Sequence, residues 1–132
     1  MTSVASAGDA LQAYLRALAC GDAGAAAEMF DGRALLEIPF LKPNRLVGTA
    51  EIAEAHRAIF ARLDSLTFDI HALHSNETHA IAEGRLCFSR DGSEAHSFAA
   101  GIVAETVAGD LLRISLYCDA RNVRPWSDEA IL

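Results

Sequence analysis

The segment "RLCFSRDGSEAHSFAAGIVAETVAGDLLRISLYC", Arg85–Cys118, alternates apolar and polar residues and is interrupted twice by turn residues. Alternation with a period of two is typical of half-buried β-strands, and the dipeptides Asp91-Gly92 and Gly109-Asp110 are typical of turns. Together with the stretch that precedes it, this segment predicts strands at about 66–73, 79–90, 93–107 and 110–120. The second half of the chain is therefore predicted to form an antiparallel meander.

A tight turn at Asp91-Gly92 predicts the pairing of the two strands it joins, with Leu86 opposite Ser97. A similar turn at Gly109 predicts that Val103 lies opposite Ile114 on the next strand. One face of the sheet is then nearly apolar and is expected to meet helices; it carries Gly84, Leu86, Phe88, Ser97, Ala99, Gly101, Val103, Ile114, Leu116 and Cys118. The opposite face is mixed, and its apolar patch predicts a homodimer contact made by Phe98, Ile102 and Tyr117.

The first half of the chain has helical periodicity instead. A first amphipathic helix is predicted over about 9–20, because apolar residues recur at i, i+3, i+4 and i+7 at Leu11, Tyr14, Leu15 and Leu18. Asp22 is expected to cap a short alanine-rich helix that ends near Phe30. Thr49 is expected to cap a third helix that runs to about Leu63. On that helix His56 shares the apolar stripe with Ile59, so a histidine is predicted in the core.

Composition excludes several classes of function. The chain has 132 residues, 52% of them hydrophobic, which suits one globular domain. Its net charge is −7 with only 11 Lys and Arg, which argues against nucleic-acid binding. No apolar run is long enough for a membrane span, and the N-terminus lacks the basic region of a signal peptide. Three well-separated cysteines argue against a disulfide framework or a zinc site. We therefore expect a reduced, cytoplasmic protein without metal or other cofactor.

The order of elements resembles the α+β fold of nuclear transport factor 2. More narrowly, the chain resembles the ketosteroid isomerase-like and SnoaL-like members of that superfamily. The stretches that carry the resemblance are "AYLRALACGDAGAAAEMF" (13–30), "ALLEIP" (34–39), "VGTAEIAEAH" (47–56) and "GDLLRISLYCDARNV" (109–123). It implies a single SnoaL-like domain over residues 1–132, built as a cone-shaped α+β barrel with N-terminal helices packed on a curved, mainly antiparallel sheet. It also implies a homodimer.

The resemblance implies few catalytic residues. The isomerases carry a catalytic aspartate at the position of Ile38 and a protonated aspartate at or beside Val103, and this chain has neither. Their substrate-oxygen donor, a tyrosine on the first helix, matches Tyr14, while a supporting tyrosine is replaced by His56. The related limonene epoxide hydrolases use an acid where this chain has Leu116. The classical carboxylates of both families are therefore missing.

Tyr14 and His56 are the candidate catalytic residues, since both lie on apolar stripes that face one core and buried polar side chains need partners. We hypothesise that His56 bonds to the Tyr14 hydroxyl and holds it as a donor toward a ligand oxygen. The alternative is a self-satisfied core pair without a ligand. Glu37 alternates with Leu36 and Ile38, so it is expected on the outer side of its strand, solvated or salt-bridged. A local register shift would instead turn Glu37 inward as a substitute base.

These patterns favour a small-molecule pocket protein that binds a hydrophobic, oxygenated substrate, with isomerase- or cyclase-type transformation left open. The alternative is a non-catalytic ligand-binding or homodimerisation module, because this fold hosts both. Residues expected to contact the substrate are those predicted to face the helices or to close the pocket: Ile38, Phe40, Phe60, Leu86, Phe88, Ser97, Val103, Ile114, Leu116 and Cys118.

Overall fold

The structure is a computed structural model that describes residues 6–38, 44–90, 92 and 94–119. Within these residues the chain forms three helices: α1 (Ala7–Cys20), α2 (Ala23–Glu28) and α3 (Thr49–Arg62). It also forms six strands: β1 (Phe30–Glu37), β2 (Arg45–Val47), β3 (Ser65–Ser75), β4 (His79–Ser89), β5 (His96–Val107) and β6 (Asp110–Cys118). The order of helices and long strands follows the sequence prediction, and the short strand β2 was not predicted.

The helix ends follow from local hydrogen bonding. Ser6 and Asp9 form a capping box at the start of α1, and the Asp22 side chain accepts from a backbone N–H in the first turn of α2. The predicted cap of α3 is wrong, because Thr49 is the first helical residue and Gly48 precedes it without a side-chain cap. Instead, the Glu51 carboxylate accepts from the Val47 N–H at 2.8 Å, which ties β2 to the start of α3.

The six strands form one sheet in the order β2-β1-β6-β5-β4-β3. Only the β1–β6 contact is parallel, and the other neighbours are antiparallel. The sheet is open and mixed, and the helices pack on one of its faces. This is the NTF2-like α+β cone fold that the sequence resembles. No helix among the described residues is both long and apolar enough to cross a membrane.

The predicted register between β4 and β5 is wrong by one residue. Leu86 lies opposite Phe98, and Ser97 lies opposite Cys87. The prediction assumed a two-residue turn, whereas the strands end at Ser89 and begin again at His96, so the connection is longer. Because side chains alternate, a shift of one residue exchanges the two faces of β5.

This exchange corrects several predicted positions. Phe98 and Ile102 are buried on the helix-facing side, so they cannot form the predicted homodimer patch with Tyr117. Ser97 and Val103 lie on the outer face instead of the inner one, together with Ala99 and Gly101.

The second hairpin follows its predicted register only near the turn. Val107 lies opposite Asp110, as the Gly109 turn predicts, but the register shifts between Glu105 and Thr106. Beyond this β-bulge Ala104, and not Val103, lies opposite Ile114. The predicted faces of β4 and β6 are nevertheless right: Leu86, Ile114 and Leu116 are buried, whereas Glu83, Arg85 and Asp119 are exposed.

Candidate ligand-binding site

A small cavity lies between helices α1 and α3 and the inner face of the sheet. Its volume is about 50 Å³. Among the described residues that line it, only Tyr14 and His56 have polar side chains. The remaining wall is hydrocarbon, contributed by Leu18, Leu36, Ile38, Ile59, Leu66, Leu86, Ile102, Ile114 and Leu116. Nearly all of the cavity surface is apolar, so Tyr14 and His56 line it with their rings and not with their polar atoms.

The polar pair is the contact that the sequence predicted. The Tyr14 hydroxyl oxygen lies 2.7 Å from Nε2 of His56, across the α1–α3 contact. The two rings meet edge to face, and Phe30 and Phe60 pack near the imidazole. Tyr14 and His56 are almost completely buried, at 3% and 1% exposure. The hydrogen bond therefore satisfies two polar groups that water cannot reach.

The direction of this hydrogen bond follows from the other ring nitrogen. Nδ1 of His56 lies 2.7 Å from the Ile52 carbonyl oxygen, which can only accept, so Nδ1 carries a proton. Burial lowers the pKa of His56 below its ordinary value, which keeps the ring neutral near pH 7. Nε2 is then an acceptor, and the Tyr14 O–H donates to it. Burial also raises the pKa of Tyr14 well above its ordinary value, so the phenol remains protonated.

No carboxylate lines the cavity within the part of the chain that the structure describes. Ile38 lies in the wall at the position where the resemblance implies a base. On β5 the inward positions beside Val103 are Ile102 and Ala104, because the register differs from the prediction, and neither carries an acid. Leu116 lies in the wall where the epoxide hydrolases have an acid. The described cavity wall therefore carries no acid at the positions where the isomerases and the epoxide hydrolases have one.

The structure brings part of the predicted substrate-contacting set to the cavity: Ile38, Leu86, Ile114 and Leu116. Phe60 and Phe88 lie nearby, the first beside the His56 ring and the second buried against Phe98. Ser97 and Val103 lie on the other side of the sheet. Phe40 lies outside the described residues, so the structure does not place it.

Five wall residues were not in the predicted set: Leu18, Leu36, Ile59, Leu66 and Ile102. Leu18 and Ile59 were already on predicted apolar stripes, so the helical periodicity indicated that both face the core. Leu36 and Leu66 lie at inward positions of β1 and β3, which alternation along those strands indicates. Ile102 was missed because the predicted register directed it outward.

Glu37 lies on the outer face of the sheet, so its interpretation as a salt-bridged residue is right. Ser115 donates its hydroxyl to Glu37 at 2.8 Å, and Arg45 lies 3.7 Å from the same carboxylate. Arg113 donates to Ser115 at 2.9 Å and pairs with Glu105 at 2.7 Å. These contacts follow the strand pairing, so the network crosses β2, β1, β6 and β5 on the outer face.

A groove of about 510 Å³ lies where β1 and β6 end, next to the cavity. Ile38 and Leu116 line both the groove and the cavity, whereas Cys118 lines the groove but not the cavity. Its other walls are mostly polar, formed by Glu37, Asn44, Arg45, Ser115 and Tyr117. Across the described residues, no cluster of three or more His, Cys, Asp or Glu side chains could hold a metal ion.

Residues 11–113 match the family described as the SnoaL-like domain. This match covers most of the chain. The protein belongs to the SnoaL-like domain family. SnoaL-like membership agrees with the resemblance carried by the first helix, the "ALLEIP" strand and the closing strand. No curated protein shows significant sequence similarity to this chain.

Several solved structures share the fold of this SnoaL-like protein. A hypothetical protein with a ketosteroid isomerase-like fold from Catenulispora acidiphila, in complex with trimethylamine, has a TM-score of 0.78 at 12% identity over 91% of this chain and 92% of that one. An epoxide hydrolase of the LEH-like type from M. tuberculosis has a TM-score of 0.77 at 20% identity, over 88% and 80%. A proposed isomerase from Bacillus subtilis has a TM-score of 0.77 at 21% identity, over 90% of each chain. At these identities the similarity establishes the fold alone.

Proposed function

We propose that this SnoaL-like protein binds a small, mainly hydrocarbon, oxygenated molecule in the cavity beneath Tyr14 and His56. The observation that carries the proposal is an apolar chamber whose wall, among the described residues, has no charged side chain and lies against one buried polar pair. Apolar pockets with a few placed polar groups are typical of small-molecule sites. A protein of the same fold is in complex with trimethylamine, so a small organic molecule can bind to this fold.

The size of the cavity restricts the ligand. Pockets for drug-sized molecules have volumes of roughly 300–1,000 Å³. The cavity here has about 50 Å³, so a steroid-sized molecule does not fit inside it without movement of the walls. A ligand of a few heavy atoms, or one short apolar end of a larger ligand, matches this space. The neighbouring groove would then be the place for the remainder of a larger ligand.

Binding is better supported than catalysis. Isomerase- or cyclase-type chemistry requires a group that takes and returns a proton, and such a group contributes roughly 10²–10⁴ in rate. The described cavity wall has no carboxylate, and both nitrogens of His56 are engaged with Ile52 and Tyr14. A proton could reach His56 only through the Tyr14 hydroxyl, and would leave a buried imidazolium. For these reasons, catalytic transformation of the ligand by Tyr14 and His56 ranks second to binding as a candidate function.

Xenon binding tests the proposed cavity, because xenon enters small apolar cavities without hydrogen bonds. We expect xenon to shift the methyl NMR signals of Ile59, Leu86 and Ile114, which line the cavity, in a saturable way. Ile102→Phe, which fills the cavity, should abolish the shifts. Val103→Phe is the matched control, since the neighbouring residue faces outward, and it should leave them unchanged. Equal xenon shifts in both variants would contradict binding in this cavity.

We also propose that the chain forms a homodimer through the outer face of the sheet. The exposed apolar residues of this face include Ile81 and Tyr117, at 48% and 57% exposure, with half-buried Val103 next to Ile81 in the sheet. Apolar residues grouped on one sheet face are typical of interfaces. We expect light scattering to give a dimer at micromolar concentration, and Ile81→Glu to give a folded monomer. A monomeric wild-type protein would contradict this contact.

A further inference from the structure

We propose that the groove beside the cavity holds the polar end of the ligand, and that this end is a neutral group that both accepts and donates hydrogen bonds, such as a primary amide. This inference rests on the proposed function and specifies the chemical class of its ligand. The ligand is then an amphiphile, with a short hydrocarbon end in the cavity and an amide in the groove.

The groove and the cavity share a wall. Ile38 and Leu116 line both spaces, at the place where the pairing between β1 and β6 ends. The cavity has a volume of about 50 Å³, whereas the groove has about 510 Å³. A hydrocarbon chain that extends from the cavity past these two apolar side chains therefore reaches a much larger space. The groove can hold the part of a ligand that the cavity is too small for.

Two opposite charges line this groove on accessible side chains. The side chains of Glu37 and Arg45 are 38% and 63% exposed, so a ligand can reach both. One carboxylate oxygen of Glu37 accepts from Ser115, while the other lies 3.7 Å from Nε of Arg45, too far for a hydrogen bond. Within the described ranges, no hydrogen bond engages that second oxygen or the Arg45 guanidinium. The pair therefore offers a ligand one acceptor and several donors side by side.

The close spacing of the two charges selects against charged ligands. A carboxylate bound to Arg45 would lie beside the Glu37 carboxylate, and an ammonium bound to Glu37 would lie beside the guanidinium. Each ion would meet a like charge at short range, which weakens its binding. A primary amide avoids this repulsion, because its carbonyl oxygen accepts from Arg45 while its N–H donates to Glu37. The net charge of −7 also disfavours a carboxylate.

The test compares three probes with one six-carbon chain: hexanamide, hexanoate and hexylammonium. Each is titrated against the full chain at about pH 7, where the last two are charged. The methyl NMR signals of Ile59 and Ile114 report on the cavity, and the Nε–H signal of Arg45 reports on the groove. We expect hexanamide to shift both sets of signals and to bind about threefold more tightly than either ion, an effect suited to partly exposed charges. Hexanoate or hexylammonium binding as tightly as hexanamide would overturn the inference.

Two substitutions each remove one charge from the groove. Glu37→Gln keeps an oxygen for the Ser115 hydroxyl but removes the negative charge, so hexanoate should gain affinity relative to hexanamide. Arg45→Gln should favour hexylammonium in the same way. Glu54→Gln and Arg57→Gln are the matched controls, because they remove the same charges from an exposed ion pair on α3 that does not line the groove. Both controls should leave the order of the three probes unchanged.

The outcomes separate this inference from the proposed function. If Glu37→Gln and Arg45→Gln leave the order of the probes unchanged, the inference is wrong. It is also wrong if the probes shift the cavity methyl signals but not the Arg45 signal, and the proposed function then stands. If neither xenon nor any of the three probes shifts the cavity methyl signals, the proposed function itself is overturned.

Discussion

Tyr14 and His56 join two helices that are far apart in the chain, and they do so inside an apolar layer. A buried hydrogen bond of this kind adds little net free energy when it is intact, but its loss leaves an unpaired group that water cannot reach. The same contact therefore stabilises the α1–α3 packing, and the cavity beside it keeps an apolar surface.

Tyr14→Phe should destabilise the protein by about 1–3 kcal/mol, because Nε2 of His56 loses its donor in a buried position. Urea unfolding followed by circular dichroism measures this change. Tyr117→Phe is the matched control, since Tyr117 is 57% exposed, and its effect should stay within about 0.5 kcal/mol. Equal effects of the two substitutions would show that the Tyr14 hydroxyl has no buried partner.

His56 should make the protein less stable in mild acid. Burial lowers the pKa of His56 in the folded protein below the ordinary value of 6.5, so below that pH the unfolded chain takes up a proton that the folded protein does not. The free energy of unfolding should therefore fall as the pH drops from about 7.5 to about 5.5. Urea titrations at both pH values measure the change. His56→Gln should have a smaller dependence over this range, and an unchanged dependence would contradict the assignment.

At the scale of elements, two irregularities shape the sheet. The register of β3 against β4 shifts between Ile70 and Ala72, and that of β5 against β6 shifts between Glu105 and Thr106. Each shift moves the inward and outward positions of a strand by one residue relative to its neighbour. The second shift helps to place Ile102 and Ala104, and not Val103, on the inner face.

Gly84 is required where the first irregularity occurs. A Cβ atom at this position would overlap the carbonyl oxygen of Asp69 on the neighbouring strand. Gly84→Ala should therefore destabilise the protein by about 1–3 kcal/mol or more, since the backbone must move. Gly101→Ala is the matched control on β5, because its Cβ would lie 3.7 Å from the nearest oxygen, in ordinary contact. Thermal unfolding compares the two, and a Gly84→Ala variant as stable as Gly101→Ala would contradict the close approach.

At the scale of the whole molecule, the parallel contact between β1 and β6 joins the two halves of the chain. Leu36 lies beside Ile114 and Glu37 beside Ser115, although nearly the whole meander separates them in sequence. Ser115 is buried at 2% exposure while it bonds to Glu37 and Arg113. The outer polar network thus reinforces the one strand pair that local turns cannot form.

Ser115→Ala should reduce stability by about 1–2 kcal/mol, because Glu37 and Arg113 both lose a buried partner. Chemical unfolding measures this loss. Ser97→Ala removes the same hydroxyl from an exposed site that Arg85 contacts, and should change stability by no more than about 0.5 kcal/mol. If the two variants are equally stable, the network does not support the β1–β6 contact.

Local patterns in the sequence predicted the helices, the long strands and the buried Tyr14–His56 pair. Helical periodicity and strand alternation depend on neighbouring residues, so these features could be predicted without knowing the fold. The sequence also showed that Ile38 and Leu116 stand where the related enzymes carry acidic residues, since the resemblance identifies those positions along the chain. The inward direction of Ile102 was not visible, because it depends on a loop length and a bulge.

The sequence by itself therefore determined the fold class and the apolar character of the core, through side-chain periodicity. Only the tertiary structure decided which β5 residues face the cavity, how small the cavity is, and where the Tyr14 proton lies. The physical reason is that strand register and hydrogen-bond direction are set by groups from different elements. The Ile52 carbonyl, Nε2 of His56 and the Tyr14 hydroxyl acquire their roles only when α1 and α3 pack together.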